Sequence, residues 1–242
     1  ILVSKYLQQG EFGDCYVSVR INGIDTEYWK DDLAAIVPNK RLDGIRVPKV
    51  EDENTVKIID EELSRLEEQN GLPVGKLSLH CLLETAHGIW NAYEIAKASP
   101  RIEAIIPGGE DLRADLKTNR SDDSTELEWA RRMLVFAARA AGVEPLDTVF
   151  ARITDDEGLR KETEFIKQLG FSGKSIIHPN QIKIIHDIFT PTEQEIAKAQ
   201  KIIAAAKEAA ARGQGAVTVD GKMVDIPVVK RAEYTLVRAG LA

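Results

Sequence analysis

Six times along the chain, a short apolar run rich in β-branched residues gives way to a longer stretch of helical period. The runs are "CYVSVRI" (15–21), "GIRVPKV" (44–50), "KLSLHCLLE" (76–84), "IEAIIPGG" (102–109), "LDTVFARI" (146–153) and "GKSIIHP" (173–179). Between the second and third, Val56, Ile59, Leu63 and Leu66 keep the spacing of one helical face. Strands that alternate with helices imply a parallel sheet with helical crossovers. A (β/α)8 barrel takes about 250 residues and eight such units. Six units, opened by "ILVSKYLQQGEFGD", which reads as the end of a helix, fit a TIM barrel whose first one or two strands precede Ile1. A doubly wound open sheet is the alternative. Against it, no G-x-G-x-x-G follows the first strand and no G-x-x-x-x-G-K-[ST] occurs anywhere.

Beyond the sixth unit the pattern changes. "TPTEQEIAKAQKIIAAAKEAAARG" is an alanine-rich helix, with Thr190 or Thr192 as N-cap and Gly213 near its end. "AVTVDGKMVDIP" reads as a hairpin turning at Asp220-Gly221, and "VVKRAEYTLVRAG" as a closing helix. The expected organisation is a barrel over 1–189 and a helix–hairpin–helix appendage over 190–242.

A formal net charge of −7 argues against a nucleic-acid or anionic-membrane surface. No apolar run approaches the roughly 20 residues that span a bilayer. Two cysteines, Cys15 and Cys81, are too few for a disulfide framework, so a cytoplasmic location is expected.

His80, Glu84 and His87 stand at i, i+4 and i+7, which on a helix would present a zinc-like set. The run that carries them reads as a strand. Side chains then alternate, so His80, Leu82 and Glu84 share the inward face while His87 falls past the strand end. The spacing coincidence then supplies no ligand geometry. The next strand ends in two glycines followed by Glu110 and Asp111. Barrel sites lie at the carboxyl ends of strands, so Glu84 and Asp111 are expected to converge from neighbouring strands. Two carboxylates with positions left open suit Mg2+. The competing view makes both acids helix N-terminal residues that serve the dipole. Gly108 and Gly109 would let backbone N–H groups approach an anion. Arg20, near the end of the first strand, suits a carboxylate held bidentately. Lys49 suits either a phosphate or a solvent pair with Glu51.

These stretches resemble a known family. "VRIN", "RVPKVE", "LLETAHGIWNAYEIA", "GGEDLRADL", "GFSGKSIIHPNQI", "FTPTEQEI" and "GKMVDIP" follow the order and spacing of citrate lyase beta subunit-like proteins, over essentially the whole chain. The resemblance implies a Mg2+-dependent barrel, trimeric or larger, that cleaves or forms a carbon–carbon bond next to a thioester. By position, the family's metal-binding residues fall on Glu84 and Asp111 and its substrate-binding arginine on Arg20. Its tail aspartate, which in some members reaches a neighbouring subunit, falls on Asp225 as a candidate acid/base. Backbone groups from Gly109 through Glu110 to Asp111 are expected to help Arg20 hold the substrate's carboxylate. One departure stands out: the family's opening strand near "LFVPG" and its acidic "DLEDAV"-type strand are not in this sequence.

The first functional expectation is a lyase acting on malyl-, citramalyl- or citryl-CoA. The second is a citrate lyase beta subunit acting on a citryl thioester of an acyl carrier protein. A third, of another class, is a non-catalytic barrel kept for assembly or regulation.

Overall fold

The computed structural model describes residues 2–213 and 215–241. In chain order, α1 (Leu2–Gln9) precedes β1 (Ser18–Arg20), α2 (Trp29–Ile36), β2 (Gly44–Val47), α3 (Glu53–Gln69) and β3 (Ser78–Leu83). Then come α4 (Ala86–Trp90), α5 (Ala92–Ala96), β4 (Ile102–Pro107), α6 (Gly109–Asp115), α7 (Glu128–Ala141) and β5 (Glu144–Asp147). After these follow α8 (Asp156–Leu169), β6 (Gly173–Lys174), α9 (Asn180–Phe189) and α10 (Glu193–Ala211). The chain finishes with β7 (Val217–Val219), β8 (Lys222–Val224) and α11 (Ile226–Arg238).

β1 to β6 form one sheet in strict sequence order, every neighbouring pair parallel. The sheet is curled. In a flat sheet, β2 and β6 would lie four strand spacings apart, about 19 Å. Yet Arg46 of β2 donates from Nη2 to Ser175 Oγ, just past β6, at 3.1 Å. One arginine and one serine side chain bridge the two only if the sheet bends into a half-barrel with both residues on its concave face.

The helices cover the convex face for the reason the spacing implies. On α3, Val56, Ile59, Leu63 and Leu66 are all buried. On β3 the alternation puts Leu79, Cys81 and Leu83 at 0% exposure under the helices. Ser78, His80, Leu82 and Glu84 then take the concave side. β5 departs from expectation. It is Glu144–Asp147, so all but the first two residues of the expected run from 146 to 153 lie outside it. Pro145 offers its neighbours no N–H. Past Asp147 the ladder gives way to side-chain bonding, as where Gln181 Nε2 donates to Phe150 O at 2.9 Å.

Two buried ionic networks fasten helices to sheet. At the amino ends of the strands, Arg101 bonds Asp60 on one side and Glu67 on the other, with Nη2 2.7 Å from Glu67 Oε2. In the wall, Arg131 of α7 forks onto Asp147 of β5 at 2.9 and 3.0 Å. Lys174 of β6 reaches Asp147 and Glu162 of α8, each at 2.6 Å. Burial opposes the charge of Asp147, but Lys174 and Arg131 outweigh it and hold its carboxyl below the usual range.

The chain divides into two compact units, 1–182 and 183–242. In the second, Thr192 and Glu195 form a capping box at the start of α10. β7 and β8 pair antiparallel through Asp220 and Gly221, whose φ values of 51° and 73° suit a type I′ turn. Ala199, Ile202, Val219, Val224 and Ala232 form its core. No helix among the described residues is long and apolar enough to cross a membrane.

The wall network sets a stability test. Asp147→Asn leaves buried cations short of a partner and is expected to cost about 3–5 kcal/mol in urea unfolding. The double variant Arg131→Met/Asp147→Leu, which leaves Lys174 and Glu162 as a neutral pair, is expected to cost less than the single change.

Candidate active site

Parallel strands in sequence order bring all their carboxyl ends to one edge, and there the predicted acids come within electrostatic reach of one another. Glu84 follows β3 directly and is 6% exposed. Its Oε2 accepts from the Lys49 backbone N–H at 2.9 Å. Lys49 presents that N–H from a left-handed conformation, φ 52°, rare for a residue with a side chain. The Gly108 N–H donates to Leu83 O at 2.9 Å and so locks the end of β4 beside the end of β3. A Cβ at Gly108 would lie 2.3 Å from Glu84 Cγ, so only glycine leaves room for the glutamate.

α6 then carries Glu110 and Asp111 in its first turn. Asp115, at its last residue, accepts from the Ala86 N–H at 2.7 Å and ties α6 to the loop after Glu84. Burial pushes the Glu84 carboxyl above its usual range and the Asp111 charge adds to the rise, against bonding from Lys49 and the charge of Arg20. Asp111 and Arg20 therefore both act electrostatically on Glu84. Arg20, at the end of β1, forms no ion pair or side-chain hydrogen bond among the described residues.

Other expected residues take different places. The Gly109 N–H is engaged by Thr148 Oγ1 at 3.0 Å, so it is not free to meet an anion. The Glu110 carboxylate is taken by Arg113, at 2.8 Å, and by Arg120. Asp225 lies in the second unit and N-caps α11, accepting from the Val228 N–H at 3.2 Å. Lys49 pairs through Nζ with Asp25 at 3.3 Å rather than with Glu51. His80 stacks on Tyr16 with ring centroids 5.2 Å apart, and His87 of α4 bonds Asn91, just past that helix, at 3.1 Å. The two histidines thus have separate partners, and among the described residues no three His, Cys, Asp or Glu side chains gather as a metal cluster.

The donor set still fits a hard divalent cation. Mg2+ is commonly held by one or two carboxylates and keeps several water or substrate oxygens. Here a buried acid stands within electrostatic reach of a second one, and a cation between them would relieve both the burial of the Glu84 charge and the repulsion from Asp111.

One residue escaped the sequence reading. Arg46 stands beside Arg20 in direct register, on the concave face. The only signal was a charged residue inside an apolar, β-branched run.

A curled parallel sheet of six strands with helices on its convex face makes the first unit an α/β protein of half-barrel type. The chain belongs to the HpcH/HpaI aldolase/citrate lyase family, whose model matches residues 1–179. It is 44% identical over 235 residues to the citrate lyase subunit beta of Leuconostoc mesenteroides subsp. cremoris, covering 97% of this chain and 78% of that one. It is 34% identical over 248 residues to the L-malyl-CoA/beta-methylmalyl-CoA lyase of Cereibacter sphaeroides, covering 95% and 78%. Among solved structures, CitE from Mycobacterium tuberculosis in complex with magnesium, acetoacetate and coenzyme A superposes with a TM-score of 0.72. Sequence identity there is 32%, over 92% of this chain and 78% of that one.

The raised Glu84 carboxyl has a pH signature. Its folded-state value lies above the unfolded one, so its contribution favours the fold at low pH and is lost as pH rises through the folded value. With chelator present, Glu84→Gln is expected to melt at a higher temperature than wild type at pH 7, with the gap closed near pH 4.

Proposed function

We propose that the chain is a Mg2+-dependent carbon–carbon lyase of the citrate lyase beta type, which splits a citryl thioester into oxaloacetate and an acetyl thioester. The observation that carries this reading is the meeting of Glu84 and Asp111 beside the unpaired Arg20, in a chain nearer in identity to a citrate lyase beta subunit than to a malyl-CoA lyase. In this reading the six strands are six units of a (β/α)8 barrel.

Held by Glu84 and Asp111, Mg2+ would serve as a Lewis acid toward the carbinol hydroxyl and its neighbouring carboxylate. Arg20 grips that carboxylate with a planar fork of N–H donors and fixes the head of the substrate. The Lys49 N–H holds the Glu84 carboxylate and the Gly108 N–H, bonded to Leu83 O, fixes the strand end that carries it, so the acid is oriented before the substrate arrives. The bond changes balance simply. A base takes the hydroxyl proton and the O–H pair becomes the new carbonyl. The bond between the carbinol carbon and the thioester α-carbon breaks, and its electron pair leaves with the α-carbon as an enolate. One proton then converts the enolate to the acetyl thioester. Asp225 is the proposed acid/base for one of these transfers, carried over from the family resemblance. In the same reading it serves the site of a neighbouring subunit in a homo-oligomer, a trimer or larger, in the cytoplasm.

Whether the thioester handle is free CoA or an acyl-carrier arm separates two forms of this proposal. The identity to the citrate lyase subunit favours the carrier. The CoA held by the magnesium-bound CitE structure keeps free CoA as the second form.

The test is a coupled assay on the full-length protein, with citryl thioesters of CoA and of an acyl carrier protein offered in parallel and oxaloacetate followed. Turnover is expected to vanish with EDTA and to fall at least about 10²-fold in Glu84→Ala. Asp225→Asn is expected to lower kcat by about 10²–10⁴-fold with little change in KM. Undiminished turnover in Glu84→Ala would overturn the reading.

A further inference from the structure

Arg46 is the exception among the buried and half-buried arginines described in the first unit. Arg101 meets Asp60 and Glu67, Arg113 meets Glu110 and Glu126, and Arg131 meets Asp147 and Glu162. Each has two carboxylates. Arg46 has none within ion-pair distance among the described residues. Its Nη2 donates to the neutral Ser175 hydroxyl at 3.1 Å, while its Nε is buried without a hydrogen-bond partner. A buried donor left unmade is costly; Arg131 Nη1 shares that state, but its charge is met by two carboxylates, whereas at Arg46 the unmet donor and the unmet charge coincide.

Its neighbours sharpen the point. Across β1, β2 and β3 the register sets Arg20 against Arg46 and Arg46 against His80. Two like charges side by side repel, and burial first and Arg20 second work against the charge of Arg46, outweighing the favourable pull of Glu84 beyond bonding distance. A fold that needed only a packed side chain here would be better served by an apolar one. The arrangement makes physical sense when an anion joins the row.

We propose that Arg46 binds a second carboxylate of the substrate, the one borne on a carboxymethyl branch of the carbinol carbon, and thereby selects a dicarboxylic 2-oxo acid over a monocarboxylic one. This rests on the reading of the strand-end site as a 2-oxo-acid site. Charge balance agrees with it. Two arginines and two acids cancel, so a divalent cation held by the acids leaves a surplus of two positive charges. A head group with two carboxylates neutralises that surplus, and one with a single carboxylate leaves half of it unmet. The geometry agrees as well. Adjacent strands lie about 4.8 Å apart, a spacing that lets two neighbouring guanidinium groups address two carboxylates of one small molecule. Arg20 takes the carboxylate next to the reacting carbon and Arg46 takes the distal one.

The experiment is calorimetric titration of the full-length protein with freshly prepared oxaloacetate and with pyruvate, in Mg2+, for wild type, Arg46→Met and Arg46→Lys. Wild type is expected to bind oxaloacetate about 10–100-fold more tightly than pyruvate, the span a charge-assisted hydrogen-bonded pair commands. Arg46→Met is expected to abolish that preference with pyruvate binding within about threefold of wild type. Arg46→Lys, which keeps the charge and the fold of the row, is expected to retain part of it and serves if Arg46→Met does not fold. A wild type with no preference, or a variant that weakens both ligands alike, would overturn the assignment. Discrimination in binding by a wild type that cleaves no citryl thioester would leave Arg46 in its role and overturn the lyase reading instead.

Discussion

The structure depends on one constraint: every strand of the large sheet pairs in parallel with its neighbours in sequence. Parallel pairing forces a crossover after each strand, and the crossovers here are helices packed on the convex face. It also points every strand the same way. Residues that follow β1, β2, β3 and β4 must then gather at one edge, however far apart they lie in sequence. Arg20, Lys49, Glu84 and Gly108 are spread over almost ninety positions and become neighbours for this reason alone. The curl of the sheet, read from the bond between Arg46 and Ser175, turns that edge into the rim of a concave site.

The charged residues divide into two sets with opposite electrostatic character. Away from the rim, buried charges are closed on one another, as with Arg131, Asp147, Lys174 and Glu162. At the rim they are left open. Glu84 is buried, has one backbone donor and feels the charge of a second acid, while among the described residues Arg20 and Arg46 have no carboxylate at bonding distance. A closed network earns its burial through mutual neutralisation, whereas an open set is stable enough to persist only because the surrounding fold holds it. In the proposed reading, the difference separates structural charge from charge kept for a ligand.

Much of this was legible in the sequence, and the remainder was hidden for identifiable reasons. The strand–helix alternation was legible because a period of two and a period of 3.6 are hard to confuse over whole segments. The approach of Asp111 to Glu84 was legible because strand ends in such a sheet must converge. β5 was misplaced because "LDTVFARI" is a good strand by composition, yet its register begins two residues earlier and ends at Asp147. The N–H of Gly109 looked free because nothing local reveals Thr148, thirty-nine residues on, as its acceptor. Lys49 looked like a partner for Glu51, and it finds Asp25 across a loop instead. Arg46 was overlooked for a related reason. Its significance is a partner it lacks, and no linear pattern records a missing partner.

The rim and the wall are also joined mechanically. Lys174, locked onto Asp147 and Glu162, donates to Thr148 O at 2.9 Å. Thr148 in turn receives the Gly109 N–H that begins α6, and Asp111 lies two residues further on. The aspartate of the open site is thus placed by a hydrogen-bonded chain that starts in a closed, fully buried network. Glu84 is placed from the other side, by Lys49 and by the room that Gly108 leaves. An acid pair that must hold its separation against mutual repulsion needs rigid supports on both members, because a flexible loop would simply let the charges move apart. Burying the wall's charges at the cost of their hydration gives one of those supports, which is a physical reason for an ionic network where an apolar core would pack as well.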